Sequence, residues 1–584
     1  MLKNYFYLDK RSLALSRVLM GIFLIYDIVR RLPYAKIFYS DEGVLPRGYF
    51  LEHLGHSWSA SLMFINGTIY FTYFYFFIYL ILAFLFVLGC KTRLVTFLLW
   101  IFTLSLHDRN WDVLNAGDDI VRMYLLIACF LPMGARYSID NALRVKKDDE
   151  SQYSSIWVFA YYLQIALIYF TTFLFKTGKE WRVDYTATEY ALGLNNFASY
   201  IGAFLRDFPG LLKSLTIISI YGELICPILL MFGFIFLRKS HWPKNIASFF
   251  GVFFHVGLIF LMTLGSFPFF CVACWLAFVP SEVWNRFLAK KNISTKQELY
   301  FDGDCSFCLK MTKIIHEFLM LEKISIKKAQ ENQKAFAIMT DENSWVLNKK
   351  KKFYTGIVVI VELLENSKLP TMFKKFFTLV FSNPLSSFIY KVIAKNRMIA
   401  SKATTSLTPP REFKKDGILS MSIGLVLIFS LIYWNFKFFS PSIKKNLAIF
   451  KHSTRLFHSY QKWSMFSPYP YSHNQWYAMP AEFKDGSKRD IFNYNYQGGE
   501  GKPGFQRLAY MNSMVKKYLS NIGKNKKKDR LEQFAKYNCR KFNSNGRNLY
   551  SFKIIKYRQR VTLKSMEEAP VSEKVVWDHK CYKL

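Results

Sequence analysis

The stretch TIYFTYFYFFIYLILAFLFVLG, residues 68–89, decides the fold of this 584-residue chain. It contains no charged side chain and, as a helix rising about 1.5 Å per residue, it can cross the ~30 Å hydrocarbon core of a bilayer. Inside lipid the backbone satisfies its own hydrogen bonds only as a helix or a closed barrel, and uninterrupted apolar runs of this length favour the helix. We therefore predict a helical membrane protein.

Further apolar runs recur along the first half of the chain. Two of them, 94–106 and 118–133, are short for a full crossing and can be tilted or re-entrant. A last run, 418–436, lies far downstream. The predicted architecture is a polytopic α-helical bundle of about eight helices in residues 1–285, with an additional transmembrane helix in residues 415–437. The other predicted helices lie near 12–29, 156–175, 214–237, 246–264 and 265–284.

The composition changes after the bundle. Residues 290–405 are rich in Lys and contain no apolar run long enough to span a bilayer, so we predict one soluble domain there. Residues 440–584 are polar, basic and rich in aromatic side chains, with turn signals such as Lys484-Asp485-Gly486 and alternating stretches such as YSFKIIKYRQRVTL. This pattern predicts a second soluble domain of mixed α/β structure.

The chain carries a large excess of positive charge, with 78 Lys and Arg against 41 Asp and Glu and a net charge of +37. Nucleic-acid binding does not fit, because the basic segments flank apolar runs and no groove-reading motif accompanies them. Anionic lipid headgroups fit better, since each Lys or Arg near such a surface contributes roughly 1 kcal/mol. We therefore predict the lipid bilayer as a partner, and no nucleic acid.

The charge of the loops predicts the orientation of the bundle. With the N-terminus inside, the inner loops hold Lys and Arg at roughly twice the density of the outer loops, in line with the positive-inside rule. Eight crossings then leave residues 290–405 in the cytoplasm, and the helix at 418–436 carries residues 440–584 to the outside. The expected location is a bacterial inner (cytoplasmic) membrane.

The sharpest chemical motif is ELYFDGDCSFC, residues 298–308, which is typical of a strand, a tight turn and the start of a helix. The start of a helix stabilises a thiolate, so Cys305 is the predicted nucleophile. Cys308, one turn later, is the predicted resolving thiol that attacks the mixed disulfide. The charges of Asp302 and Asp304 oppose a thiolate, and one of these carboxylates can instead carry protons.

Other interpretations of this Cys-x-x-Cys pair are half of a zinc site or two inert thiols. A zinc site needs further ligands, and residues 290–405 contain neither a second Cys pair nor a suitable His cluster. We therefore predict redox-active cysteines and no metal. Another Cys-x-x-Cys pair, Cys271 and Cys274, lies in an apolar run without a neighbouring charge, and we predict that it only packs.

The spacing of Asp302, Cys305 and Cys308 resembles the Asp-x-x-Cys-x-x-Cys core of the DCC family of thiol-disulfide oxidoreductases. The closing pattern of that family, a Tyr followed by an Asn-Arg pair, is similar to Tyr390 and Asn396-Arg397. The two patterns bracket the whole predicted cytoplasmic domain. The resemblance implies a thioredoxin-like fold and dithiol–disulfide exchange.

Residues 5–285 contain several spaced motifs. They are Phe38-Tyr39-Ser40-Asp41-Glu42-Gly43-Val44-Leu45-Pro46, Arg109-Asn110, Gly117-Asp118-Asp119, Phe130-Leu131-Pro132, Tyr169-Phe170 and Gly265-Ser266-Phe267-Pro268. These motifs resemble the HTTM family, whose module also occurs in vitamin K-dependent γ-glutamyl carboxylases and in bacterial immunity-type membrane proteins. By this resemblance Lys176 aligns with the lysine that carboxylases use as a base toward a reduced quinone. The alternative is a lysine that anchors a helix end at the membrane interface beside Trp181.

Several polar residues fall at membrane depth, where they are costly unless they are paired or hydrated. His255, Glu223 and Arg109 are the candidate residues for binding a cofactor. Together with Asp118 and Asp119 they could line a pocket. An internal set of structural salt bridges is the alternative.

These observations leave three functional hypotheses. The first is an integral membrane thiol-disulfide oxidoreductase that acts on a thiol or disulfide, either a protein or a small molecule. The second is a carboxylase-like membrane enzyme that uses Lys176 and a vitamin K-like quinone, with the dithiol recycling the oxidised cofactor. The third is a non-enzymatic immunity, sensor or assembly factor. A quinone is the one cofactor suggested, and the oligomeric state is left open.

Overall fold

The structure of the protein is a computed structural model. Helices dominate its first half, and small sheets form in its second half. The described residues are 5–53, 61–145, 150–236, 242–289, 297–321, 324–405, 407, 417–492, 513–523, 528–544, 546, 548–563 and 567–581.

The membrane part is a bundle of nine labelled helices joined by short helices and turns. Its helix limits follow local signals: Thr68 caps α2 by accepting a hydrogen bond from the Phe71 amide, and Gly89 ends it with a φ of 64°. A Cβ on Gly89 would meet the side chains of Arg17 and Ser138. The labelled helices are α1 (Lys10–Arg31), α2 (Ile69–Leu88), α3 (Thr92–Arg109), α4 (Ala116–Ala128), α5 (Ile156–Phe175), α6 (Pro209–Phe236), α7 (Trp242–Leu261), α8 (Phe267–Leu276) and α9 (Ser281–Ala289).

Shorter elements connect these helices. A two-stranded ladder pairs Leu8–Asp9 with Gln152–Tyr153. The short helices of this part are Leu32–Tyr34, Ala35–Tyr39, Arg47–His53, Leu62–Phe64, Trp111–Val113, Ile139–Leu143, Lys179–Arg182, Ala187–Leu192 and Tyr200–Leu205.

A four-stranded sheet forms the core of the next domain, with the order β2-β1-β3-β4. Strands β1 and β2 are parallel and are connected through α10, whereas the β1–β3 and β3–β4 pairs are antiparallel. Leu299, Leu347 and Leu363 pack together in its interior. The elements are β1 (Gln297–Phe301), α10 (Ser306–Phe318), β2 (Ile324–Lys328), a 3-10 turn (Ala329–Glu331), α11 (Gln333–Glu342), β3 (Val346–Lys349), β4 (Lys352–Tyr354), α12 (Ile357–Glu365), α13 (Thr371–Phe381), α14 (Pro384–Lys395) and α15 (Arg397–Ala403).

The C-terminal part begins with a long apolar helix and ends in an antiparallel sheet. In that sheet β8 pairs with β5, β6 and β9, and β6 pairs with β7. A disulfide joins Cys539 to Cys581. The elements are α16 (Ile418–Phe436), short helices Pro441–Asn446 and Phe450–Leu456, β5 (His473–Ala478), β6 (Pro480–Phe483), β7 (Lys488–Asp490), α17 (Ser513–Ile522), α18 (Lys528–Asn543), β8 (Leu549–Arg560) and β9 (Val571–Lys580).

Six helices of the described chain, α1, α2, α5, α6, α7 and α16, are long and apolar enough to cross a membrane. The number rises to eight if each of two bent pairs is one crossing, against the nine expected. The expected helix at 265–284 is broken into α8 and α9, which meet at 79°, because Pro280 cannot continue the first helix.

The two short runs do form helices, but neither is a simple crossing. Helix α4 has 13 residues, about 20 Å, and is almost wholly buried. Helix α3 carries Arg93, Asp108 and Arg109 near its ends. The second bent pair, α13 and α14 at 72°, lies in the domain for which the sequence predicted no membrane-length apolar segment.

The two domains outside the bundle contact opposite ends of α3. At its start, Asp140 accepts hydrogen bonds from the Lys91 and Thr92 amides, and the neighbouring amide of Tyr137 donates to Glu317 of α10. Beyond its other end, Arg530 of α18 forms an ion pair with Asp112. Because α3 is about 27 Å long, one face of the bundle receives the four-stranded domain and the other receives the C-terminal domain.

Candidate functional site

Cys305 and Cys308 occupy the first turn of α10, directly after β1 and its turn. Cys305 is the N-cap residue, and its Sγ accepts a hydrogen bond from the Cys308 amide at 3.3 Å. This bond and the positive end of the helix stabilise negative charge on the Cys305 sulfur. Cys305 is partly exposed and Cys308 is 5% exposed, and both thiols are free. An outside disulfide can therefore reach Cys305, while Cys308 is shielded from it.

Burial raises the pKa of the Cys308 thiol to about 12. The hydrogen bond to Cys305 and the charge of Cys305 act in the same direction. A hydrogen bond from Trp345 and the positive charge of Arg397 lower this pKa in part. Cys308 is therefore held as a neutral thiol that must lose its proton before it reacts.

Asp302 lies in the turn before the cysteines and binds Arg397, the Arg of the family's closing pattern. Its carboxylate is 3.0 Å from the guanidinium, and it also accepts from Gln330 Nε2 and from the Asp304 amide, both at 3.1 Å. This arrangement holds a cation beside the dithiol. The predicted proton-carrying role of Asp302 stays a prediction.

Tyr390 is connected to the dithiol by two residues that sequence reasoning missed, Ser344 and Trp345. Its hydroxyl contacts Ser344 Oγ at 2.8 Å and accepts from the Trp345 amide at 3.4 Å. Ser344 and Trp345 immediately precede β3, the strand beside β1. The sequence did contain a signal for these two residues, because residues at the ends of neighbouring strands lie at the same edge of a sheet.

Lys176 ends α5 in the interior of the membrane part. Its ammonium lies 2.6 Å from Glu223 Oε1 of α6 and 3.9 Å from the centre of the Trp181 ring. The lysine is 4% exposed, and the alternative of a helix anchor at the membrane interface beside Trp181 stays a prediction. Within the described residues, Glu223 Oε2 has no hydrogen-bond partner.

His255 of α7 belongs to an adjoining polar cluster. The Tyr169 hydroxyl accepts from Trp275 Nε1 at 2.5 Å and contacts His255 Nε2 at 2.5 Å. The histidine tautomer determines whether the hydroxyl or Nε2 donates in this contact. His255 Nδ1 has no hydrogen-bond partner among the described residues.

A cavity of about 1850 Å³ joins these groups. Lys176, Glu223 and His255 all line it, together with Tyr169 and Trp181. Its walls in α6 and α7 are mostly apolar, and residues of the C-terminal sheet line another part of it. The latter include His473, Trp476, Lys556 and Arg558.

Arg109, the third candidate for cofactor binding, lies away from this cavity. It is fully buried, donates to the Leu45 carbonyl at 2.7 Å and lies 3.5 Å from Asp41. The structure thus gives Arg109 a bracing position between α3 and the preceding loop. Sequence reasoning grouped it with the cavity residues because depth in the membrane does not reveal which side of a helix a residue occupies.

Asp118 belongs to a buried charge network. Arg31 is 2.6 Å from both Asp27 and Asp118, and His107 is 3.3 Å from Asp118. This network ties α1, α3 and α4 together and matches the expected alternative of internal salt bridges. Asp119, the next residue, forms an ion pair with Arg122 at 2.6 Å and also lines the cavity.

Comparison with protein families identifies both parts of the chain. The model of the HTTM domain matches residues 5–284, and that of the DCC1-like thiol-disulfide oxidoreductases matches residues 299–402. The chain joins an HTTM domain to a DCC1-like domain, and neither match extends beyond residue 402. The HTTM domain contains five of the six membrane-length helices of the described residues, all except α16, and the DCC1-like domain is thioredoxin-like, as predicted. Comparisons with curated proteins and with solved structures find no match.

Proposed function

We propose that the DCC1-like domain catalyses dithiol–disulfide exchange beside a bacterial inner membrane. The observation that carries this proposal is the arrangement of one accessible and one shielded thiol in the first turn of α10. It assigns the attacking role to Cys305 and the resolving role to Cys308.

The reaction balances through two thiol exchanges. Cys305 thiolate attacks a substrate disulfide, one substrate sulfur leaves as a thiolate that takes up a proton, and a Cys305–substrate mixed disulfide forms. Cys308 then loses its proton and attacks the Cys305 sulfur, which releases the second substrate thiol. The substrate disulfide gains two electrons, and the dithiol becomes the Cys305–Cys308 disulfide.

Arg397 and Asp302 assist this sequence as positioning residues. The positive charge of Arg397 favours the thiolate that Cys308 must form. Asp302 binds Arg397 and so keeps that charge beside the sulfur. The physiological substrate is a disulfide of a protein or of a small molecule.

The proposed orientation places the dithiol in the cytoplasm and the C-terminal domain outside. Basic residues are denser in the loops on the dithiol side, and the two domains contact opposite ends of α3. The disulfide between Cys539 and Cys581 is in keeping with an oxidising outer compartment.

Trapping of the mixed disulfide tests the proposed reaction. In Cys308→Ser protein, adducts should accumulate at Cys305, because the resolving thiol is missing. Cys305→Ser protein should form none, and Cys129→Ser, which changes a buried thiol of the bundle, should behave as wild type. Equal adduct formation in the Cys305→Ser protein contradicts the assignment.

The cavity favours a second candidate function, carboxylase-like chemistry with a quinone. The apolar walls can accept a flat apolar ring, and two atoms of the lining, Glu223 Oε2 and His255 Nδ1, have no hydrogen-bond partner in the part of the chain that the structure describes. When bound, a quinone supplies two-electron redox chemistry. Lys176 Nζ and Glu223 Oε1 would hold a proton between them at 2.6 Å.

Activity measurements separate the two candidates. Quinone-dependent incorporation of CO₂ that disappears in Lys176→Ala protein supports the second candidate. Lys176→Ala protein that retains the Cys305 adducts shows that the thiol chemistry is separable. If neither assay detects a reaction while a partner protein co-purifies, the non-enzymatic hypothesis is favoured.

A further inference from the structure

The DCC1-like domain carries an apolar helical hairpin that no part of the described chain covers. Helices α13 and α14 contain no buried residue. Leu379 is 75% exposed, and Leu385 and Phe388 are each 65% exposed. Exposed apolar patches of this kind mark an interaction surface. The other large apolar side chains exposed on the hairpin are Met372, Phe373, Phe376, Val380, Ile389, Val392 and Ile393.

The spacing of these side chains forms one continuous stripe on each helix. On α14 the apolar residues recur at intervals of three and four, from Leu385 through Phe388 and Val392. The opposite side carries Tyr390, which binds Ser344 in the body of the domain. The hairpin is therefore attached by one side and presents its apolar side outward.

The segment that contains the hairpin carries side-chain charge of one sign. Residues 366–411 contain eight Lys and Arg and no Asp or Glu. Basic residues beside an exposed apolar stripe are the pattern of helices that lie in the interface of an anionic membrane. An acidic protein surface would satisfy the charge, but the bilayer is already next to this domain.

The short segment between the DCC1-like domain and α16 keeps the hairpin near the bilayer. Only 12 residues separate Thr405 from the start of α16 at Ile418, so that end can lie at most about 40 Å from the membrane helix. On its other side the domain rests on the HTTM bundle through Glu317, which accepts from the Tyr137 amide and from Asn141.

The hairpin does not cross the membrane. Each helix is shorter than about 18 Å, and they meet at 72°. Moreover, the chain returns to the side from which it came: after the hairpin Ser401 contacts Ser306 at 2.7 Å, and Thr404 accepts from Lys310 at 2.6 Å. A crossing would separate these pairs by the thickness of the bilayer.

We infer that the α13–α14 hairpin docks the DCC1-like domain on the anionic surface of the same membrane that holds the HTTM bundle. The apolar stripe enters the boundary between headgroups and acyl chains, and the lysines bind the headgroups. The membrane surface fixes the orientation of the dithiol, because α15 links the hairpin to the first turn of α10. This inference does not depend on the proposed activity.

Fluorescence quenching in the full-length protein tests this docking. An environment-sensitive dye is placed at Leu385→Cys in a Cys305→Ser/Cys308→Ser background, and the protein is reconstituted in nanodiscs containing phosphatidylglycerol. A quencher on the lipid acyl chain should lower the emission at least about twofold. The same dye at Asp341→Cys, an exposed acidic position on α11, should not be quenched.

Introducing negative charge on the apolar stripe provides the second arm of the test. Phe388→Glu/Ile389→Glu changes only exposed side chains, so the domain stays folded, and the quenching at position 385 should disappear. Thr340→Glu on α11 is the matched control and should leave it unchanged. Phosphatidylcholine in place of phosphatidylglycerol should reduce the quenching.

Three results overturn the inference. The first is no quenching at position 385, and the second is quenching that survives the double Glu variant. The third is an unquenched dye together with concentration-dependent cross-linking between copies, which would assign the hairpin to a second copy of the chain.

Discussion

The guanidinium of Arg397 lies 3.0 Å from the carboxylate of Asp302, although nearly the whole DCC1-like domain separates them in sequence. The contact joins the opening and closing motifs of the family. It also brings a positive charge to the Cys308 thiol. The pair therefore connects a sequence signature to the chemistry of the resolving step.

Arg397→Gln should slow the release of substrate from the Cys305 mixed disulfide. Without the positive charge the pKa of Cys308 rises further, so less of its thiolate is present at a given pH. Quenched-flow measurement of mixed-disulfide decay checks this, with Lys402→Gln as a control at an exposed neighbouring lysine. Equal decay rates in both variants would show that Arg397 has only a structural role.

The resolving rate should increase with pH through the whole experimentally accessible range. Because burial raises the pKa of Cys308 above that of an ordinary thiol, its thiolate fraction grows about tenfold for each pH unit below the raised value. This dependence is measured as the decay rate of a preformed mixed disulfide in a series of buffers from about pH 6 to about pH 9. A plateau near neutral pH would show that another group takes the proton from Cys308.

The raised pKa also has a consequence for stability. Folded Cys308 binds its proton more tightly than the unfolded thiol, so its contribution to stability is complete below pH 9.0, the ordinary value, and is lost as pH rises toward about 12. Reduced protein should therefore melt at progressively lower temperature above pH 9.0. Cys308→Ser should flatten this part of the curve, and an unchanged slope would contradict the assignment.

Removing one partner of the Lys176–Glu223 pair should destabilise the membrane domain. A single substitution such as Lys176→Met leaves an uncompensated carboxylate in the interior, at a cost of about 3–5 kcal/mol. The double variant Lys176→Met/Glu223→Leu should recover most of the loss, because no buried charge remains. Thermal unfolding in detergent measures both, and additive effects of the two substitutions would refute the pairing.

Thiol labelling in intact cells should distinguish the two sides of the membrane. Because Cys539 and Cys581 are buried, the label is directed to an exposed position of the C-terminal domain, and a membrane-impermeant maleimide should modify Lys484→Cys protein in untreated cells. Cys305 should react only after the membrane is permeabilised. Labelling of Cys305 in untreated cells would reverse the proposed orientation.

Local features of the sequence were enough to predict much of this protein. Long apolar runs such as 68–89 predict membrane helices because the backbone in lipid has no other partner for its hydrogen bonds. The turn before Cys305 predicts a helix start, and the structure has one there. These signals depend on neighbours within a few residues, so they are visible in the sequence.

Only the tertiary structure determined which helix pairs bend and which residues meet in each site. The depth of a residue in a membrane helix says nothing about its direction, which is why Arg109 lies apart from the cavity while Glu223 and His255 face it. For α13 and α14, the sequence does not show whether the chain returns to the body of the domain after the second helix. The contact between Ser306 and Ser401 shows that it does. Periodicity determined the helices, whereas contacts between residues distant in sequence determined which charges and thiols meet.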